Sequence, residues 1–157
     1  MVSPPNHWLM KTEPSVYSID DLARDGRTPW EGVRNYQARN FMRDRMRVGD
    51  PVLIYHSNAS PPGVSGLGRV CSAVRPDATA LDPASHYFDP RHTTEKPIWF
   101  LVDVCFVEKF SRLIPLFELR ADPALEGLAL LRKGQRLSIL PVDPVHFERI
   151  VALQGLG

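Results

Sequence analysis

Ile98-Trp99-Phe100-Leu101-Val102-Asp103-Val104-Cys105-Phe106-Val107 is the stretch whose reading decides the fold class. Its even positions, Ile98, Phe100, Val102, Val104 and Phe106, are all apolar, whereas the odd positions are mixed and include Asp103. A period of two in a run rich in β-branched and aromatic residues reads as a strand with one face in a core. Three upstream stretches read the same way: His7–Lys11, Pro51–Ser57 and Val64–Val74. Gly66 and Gly68 in the last of these mark a bulge or a close backbone approach. Leu137–Leu140 is a further short strand.

The helix signals around these strands are short. Ser18-Ile19-Asp20-Asp21 comes close to a capping box, so a helix is expected over about Ile19–Arg24, with Gly26 ending it. Thr28–Val33 reads as a loop or short strand. Asn35 is placed to cap the next helix, where Ala38, Phe41, Met42 and Met46 recur at helical spacing. Arg39, Arg43 and Arg47 are four apart and share another face of that helix. Leu116–Asp122 and Pro123–Leu128 suggest one or two helical turns. Asp143-Pro144 starts a C-terminal helix running to about Leu153, with proline at its first position. Arg75–Pro97 is a polar, proline-bearing irregular connection, of a length that often carries function. Strands dominate the middle and short helices flank them, so a small closed or nearly closed β-barrel with peripheral helices is expected.

Composition agrees with one domain over residues 1–157. The 15 prolines are nearly twice the usual share of ~5%, which excludes a helical bundle or coiled coil. No apolar run approaches the ~20 residues of a membrane span. The opening MVSPPNHW shows no basic region followed by an apolar stretch, so no signal peptide is expected. Cys71 and Cys105 lie 34 apart without CxxC spacing. Free thiols in a cytoplasmic protein are the simplest reading. A monomer is expected, since no strongly apolar helix face is left over.

Net charge is only +1, but it is unevenly spread. Seven arginines and three acids fall between Arg24 and Arg47, and the rest of the chain is net acidic. Arginine suits bidentate phosphate contacts and stacking on bases, although a codon bias also raises its share.

Enzyme signatures are missing: no HExxH, no GxxxxGK[ST] and no GxSxG occurs. His86, Asp89 and His92 have a spacing a metal could use, but such residues in a polar loop are usually solvated. His56 and Ser57 are neighbours on an expected strand, so they face opposite sides and make a poor nucleophile–base pair. No catalytic residue, metal or nucleotide cofactor is expected. Binding features are better represented. Trp30 sits in a loop-like stretch before Gly32, Arg34 and Asn35, where it reads either as core or as a stacking platform. Asn35 reads either as a cap or as a reader of a base edge. The arginine row reads as a phosphate track or as a solvated helix face.

Several blocks, taken in order, resemble the EVE domain family. They are His7-Trp8-Leu9-Met10-Lys11-Thr12-Glu13-Pro14, Tyr17-Ser18-Ile19-Asp20-Asp21-Leu22, and Trp30-Glu31-Gly32-Val33-Arg34-Asn35-Tyr36-Gln37-Ala38-Arg39-Asn40-Phe41-Met42. Val48-Gly49-Asp50, Tyr55-His56-Ser57-Asn58, Gly66-Leu67-Gly68-Arg69-Val70, Trp99 to Val104 and Leu130 to Gly134 follow. The resemblance spans about His7 to Ile150, and the chain looks like a stand-alone bacterial member. It departs from the family pattern at Leu67-Gly68-Arg69 and carries an inserted Ser60-Pro61-Pro62.

The resemblance implies an α+β, PUA-like fold, a mostly antiparallel β pseudo-barrel with short peripheral helices, related to the YTH domain, and a non-catalytic reader of modified bases in DNA or RNA. By motif it implies a base pocket of Lys11, Thr12, Trp30, Val33, Arg34, Asn35, Tyr55, His56, Ser57, Ser138 and Pro141. Arg39, Arg43 and Arg47 would hold phosphates. Two other classes stay open: a small enzyme on a nucleoside- or amide-like substrate, using His56 or Lys11 for acid–base work, and a protein-interaction module built on Arg75–Pro97.

Overall fold

The computed structural model describes residues 5–156; the reading of MVSPPNHW falls partly on residues 1–4, outside the described residues. The strands are β1 (Trp8–Thr12), β2 (Arg27–Pro29), β3 (Pro51–His56), β4 (Gly63–Val70), β5 (Arg75–Pro76), β6 (Phe100–Leu101), β7 (Asp103–Pro115) and β8 (Ile139–Pro141). The helices are α1 (Ile19–Asp25), α2 (Tyr36–Asp44), α3 (Leu116–Ala121) and α4 (Pro144–Leu153). Six strands form one mixed sheet in the order β2-β7-β4-β3-β1-β8, which curls into a half-barrel. Only the β1–β3 pair is parallel; the other pairings in this sheet are antiparallel.

Both faces of the central strands are buried, which explains their continuous apolar runs. Trp8, Met10, Val52 and Ile54 face a cluster with Ile19 and Leu22 of α1 and Ala38 and Met42 of α2. Leu9, Leu53 and Tyr55 face the opposite cluster, with Leu119 of α3 and Phe147, Ile150 and Leu153 of α4. Adjacent residues point to opposite faces, so one short strand feeds two cores. The curl comes from the β4–β7 pair, whose register shifts between Val64 and Gly66 and again between Leu67 and Gly68. At Gly66 a Cβ would collide with the Glu108 carbonyl and come within 2.7 Å of Ile19 Cδ1. The glycine therefore permits both the bulge and the seating of α1.

The local signals agree with the helix starts. Ser18 and Asp21 form a full capping box, Asn35 accepts from Ala38 N, and Asp143 caps α4. Four expectations are corrected. The strand expected over Ile98–Val107 is interrupted at Val102, because Phe100 and Leu101 pair with β5 while Asp103 onward pairs with β4 and β2. It then runs on to Pro115, where exposed Glu108 and Lys109 dilute the alternation. β4 stops at Val70 instead of Val74, as Val70 N turns to Asp50 O and Cys71 N to Asp103 O. Arg47 does not continue the arginine row: α2 ends at Asp44, and Arg47 lies in a turn whose backbone N–H donates to buried Asp50. The cysteines are not free thiols, for Cys71 and Cys105 form a disulfide with Cα atoms 5.9 Å apart. Strand pairing aligns Arg69 with Cys105 and Val70 with Val104, which brings the two cysteines together.

Candidate nucleic-acid interface

A cavity of about 690 Å³ opens beside the ends of β1 and β2. Its walls come from four segments: Lys11–Glu13 with Val16 and Tyr17, the Thr28–Asn35 stretch leading into α2, Ser138 before β8, and His86–Tyr87 of the long connection. Each segment is held by a specific bond. Lys11 N donates to Ser138 O at 2.9 Å, which draws Ser138 to the rim. Thr12 Oγ1 donates to Tyr17 O at 2.7 Å and closes the intervening turn, while the Tyr17 hydroxyl donates to Asp25 at 2.9 Å. Trp30 N donates to Val102 O, extending the β2–β7 ladder one residue past Pro29.

The stretch after Trp30 is fixed by Asp77, a fully buried carboxylate 45 residues away from Gly32. Asp77 accepts from Gly32 N at 2.9 Å, Arg34 Nη1 at 3.1 Å and the backbone and hydroxyl of Thr79. Burial alone would raise this carboxyl, but the bonds from Thr79, Gly32 and Arg34 hold it below the usual carboxylate range. Arg34 is fully engaged. Its remaining N–H groups reach Val33 O, Thr79 and Tyr87 O, and its guanidinium lies 5.4 Å from the Tyr87 ring and 5.3 Å from the Trp99 ring. It is a clamp that presents Tyr87 to the cavity.

Of the residues expected in the pocket, Lys11, Thr12, Trp30, Val33, Arg34, Asn35 and Ser138 line the cavity. Trp30 is only 9% exposed and packs in the first core cluster, and it also borders the cavity. Asn35 caps α2 through its carbonyl oxygen, and among the described residues its Nδ2 donates to no protein group. Tyr55, His56, Ser57 and Pro141 do not line the cavity. The Tyr55 ring lies behind Lys11, 5.9 Å from the ammonium. His56 Nε2 accepts from Ile19 N at 3.1 Å and so supports the start of α1. Ser57 N donates to Thr12 O, and Pro141 pairs with Trp8.

Tyr17, Glu31, His86 and Tyr87 also line the cavity, although the sequence places none of them in the base pocket and marks His86 only for its metal-like spacing with Asp89 and His92. Glu31 lay inside the quoted Trp30–Met42 block, and His86 and Tyr87 lay in the connection whose length pointed to function. Burial and the Asp77 carboxylate push the Glu31 carboxyl up, with Arg34 opposing. Burial draws the Lys11 ammonium down. Asp89 and His92 are committed to structure: Asp89 takes the Trp99 indole N–H at 2.8 Å, and His92 Nδ1 accepts from Ile98 N and Trp99 N.

The arginines of α2 lie on the next stretch of surface. Arg39 donates to Ile98 O and Asn40 and sits 4.9 Å from the ring of exposed Tyr36, which stacks on Trp99. Arg43 pairs with its neighbour Asp44 at 2.7 Å on the exposed side.

Comparison with known proteins supplies the family. The EVE domain model matches residues 6–153. Human thymocyte nuclear protein 1 is 37% identical over 168 residues, covering 95% of this chain and 74% of that protein. A hypothetical protein from Leishmania major superposes with a TM-score of 0.92 at 46% identity, covering 97% and 96% of the two chains. The human THYN1 protein in complex with 5-methylcytosine-containing DNA superposes with a TM-score of 0.89 at 37% identity, covering 97% and 99%. This chain therefore belongs to the EVE domain family.

Proposed function

We propose that this protein is a non-catalytic nucleic-acid-binding module that reads a modified base, methylated or hydroxymethylated, turned out of the strand into the cavity. The observation that carries the reading is the cavity itself: open, about 690 Å³, and bordered by the aromatic side chains of Tyr17, Trp30 and Tyr87. The homologue bound to 5-methylcytosine DNA supports the same class of ligand. A base in a duplex hides its faces, so the module must extrude it or meet it unpaired. Stacking on an aromatic ring stabilises an inserted base by ~1–3 kcal/mol whatever its identity. An added methyl contributes ~0.8 kcal/mol when buried. Arg39 and Arg43 supply positive charge to phosphates without sequence preference. DNA and RNA are both candidate partners, and one protomer forms a complete cavity.

The enzyme reading has less support. His56 faces α1 instead of the cavity, and Lys11 has no partner that would orient it for proton transfer. Among the described residues no group of three or more His, Cys, Asp or Glu gathers where a metal could be held.

The test is a binding titration of modified and unmodified oligonucleotides at fixed salt, single- and double-stranded, with melting temperatures measured alongside. Trp30→Ala should lose ~1–3 kcal/mol on the preferred modified base and little on an unmodified duplex. Arg43→Ala should weaken both ligands alike and reduce the salt slope by about one. An equal loss on both ligands in folded Trp30→Ala would refute the pocket reading.

A further inference from the structure

Aromatic side chains account for the faces of a bound base and leave its edge unread. Two charged residues on the cavity wall have no hydrogen-bonded side-chain partner among the described residues, although the Lys11 ammonium also lies 5.9 Å from the Tyr55 ring. Lys11, at the end of β1, makes no side-chain hydrogen bond or ion pair among the described residues, and neither does Glu31. Arg34, the guanidinium nearest to Glu31 in the chain, is already held by Asp77, Val33, Thr79 and Tyr87. Burial first, and then the Asp77 carboxylate behind this segment, push the Glu31 carboxyl up, with Arg34 opposing. Glu13 adds another acid to the rim. Lys11 and Arg34 stand against Glu13 and Glu31 in the lining, so the wall has no surplus positive charge for a phosphate and suits a neutral ligand that brings its own donors. It offers an acceptor from one segment and a donor from another, so it matches a ring whose edge carries both kinds of group.

We propose that Glu31 is the specificity-determining residue of the cavity, accepting the exocyclic amine of an amino-bearing base, while Lys11 donates to an acceptor on the same ring. This rests on the base-reader proposal and names its substrate class. A carboxylate accepts from a base amine such as cytosine N4. Thymine and uracil present a carbonyl oxygen at that position, and hypoxanthine does so in place of the adenine amine. Two acceptors would then face each other without a proton, leaving the carboxylate unpaired. Lys11 finds an acceptor on every base, so it contributes affinity without this discrimination.

The experiment uses single-stranded oligonucleotides that differ at one central base, which removes any effect of pairing. One pair compares 5-methylcytosine with thymine, which share the methyl group and exchange amine for carbonyl. The other compares adenine with hypoxanthine. Wild type should prefer the amine member of at least one pair by about tenfold or more. Glu31→Gln should bring that ratio close to one, because an amide accepts through one atom and donates through the other. Its melting temperature should stay unchanged, as Glu31 has no protein partner to lose. Lys11→Met should weaken both members alike and preserve the ratio. The proposal is overturned if Glu31→Gln keeps the preference, if only Lys11→Met abolishes it, or if wild type shows none in either pair while its binding still depends on Trp30. Binding that is indifferent to Trp30 would instead refute the base-reader proposal itself.

Discussion

Gly32 lies directly against the ring of Tyr87: a Cβ placed on Gly32 would stand 2.5 Å from Tyr87 Cζ and within 2.8 Å of both neighbouring ring carbons. Gly32 also has φ +84°, a region costly to residues with a side chain. The same residue donates its N–H to Asp77, which holds Arg34, which clamps the Tyr87 carbonyl. One contact thus ties the stretch before α2 to a loop more than fifty residues later. Gly32→Ala should lose about 1–3 kcal/mol of stability from overpacking and strain. It should also weaken binding of the preferred oligonucleotide, because Tyr87 must move. Chemical denaturation beside a binding titration checks both effects, and an unchanged midpoint would contradict the packing argument.

Removing Asp77 should be worse. Asp77→Ala leaves the partly buried Arg34 guanidinium and the Gly32 N–H without their fully buried acceptor. Breaking one side of such a pair costs about 3 kcal/mol or more. Arg34→Lys should not be silent either, since an ammonium cannot make the forked bonds to Tyr87 O. Urea midpoints for the two variants test this.

Asn35 separates stability from recognition. Asn35→Ala should lose about 1 kcal/mol by removing the cap on Ala38 N. Asn35→Asp keeps an accepting oxygen and should retain that stability. If Nδ2 also donates to a bound base, Asn35→Asp will bind more weakly while melting like wild type. Equal affinity of Asn35→Asp and wild type would confine Asn35 to capping.

Acid should destabilise the fold through two histidines. His56 Nε2 and His92 Nδ1 each accept backbone N–H groups, which an imidazolium nitrogen cannot do. Burial lowers both; Lys109 adds to the effect at His56 against Asp20, and Arg34 adds to it at His92 against Asp77 and Asp89. Folded values below the unfolded value of ~6.5 mean that the unfolded chain binds more protons in that window. The associated stability is present above ~6.5 and is lost as pH falls through the lowered folded values. Melting temperature should therefore drop between about pH 7 and pH 5. His56→Gln, whose amide oxygen can accept from Ile19 N, should flatten part of the slope. The same slope in both proteins would count against this assignment.

The Cys71–Cys105 link closes a loop 34 residues apart in sequence. In the chain-entropy picture such a loop restrains the unfolded state by about 3–4 kcal/mol. Reduction should lower the denaturation midpoint accordingly, and thiol titration of the unreduced, unfolded protein should find no free thiol. Two titratable thiols would contradict the pairing.

How much of this molecule could be read in advance depends on the range of the forces involved. The cap residues Ser18, Asn35 and Asp143 act on N–H groups two or three residues away, so each helix start was legible from neighbours alone. Strand positions were legible for the same reason, because alternation is a property of consecutive residues. The Trp30–Asn35 block also announced one wall of the cavity. By itself the sequence determined an α+β chain with an aromatic-bearing turn entering a helix.

Tertiary structure decided the rest. No local rule says that Asp77 reaches Gly32, that Arg34 is consumed in a clamp, or that His86 and Tyr87 close the cavity. His56 was expected in the pocket, but it follows Tyr55 on β3 and is taken up by the start of α1. Arg47 was expected on the helix, but α2 stops at Asp44 and Asp50 holds the turn beyond it. Cys71 and Cys105 meet only because the β4–β7 register, shifted twice by bulges, brings them side by side. Each of these outcomes depends on groups far apart in sequence. Their meeting is fixed by sheet register and by where buried polar groups find partners, and those are properties of the folded chain.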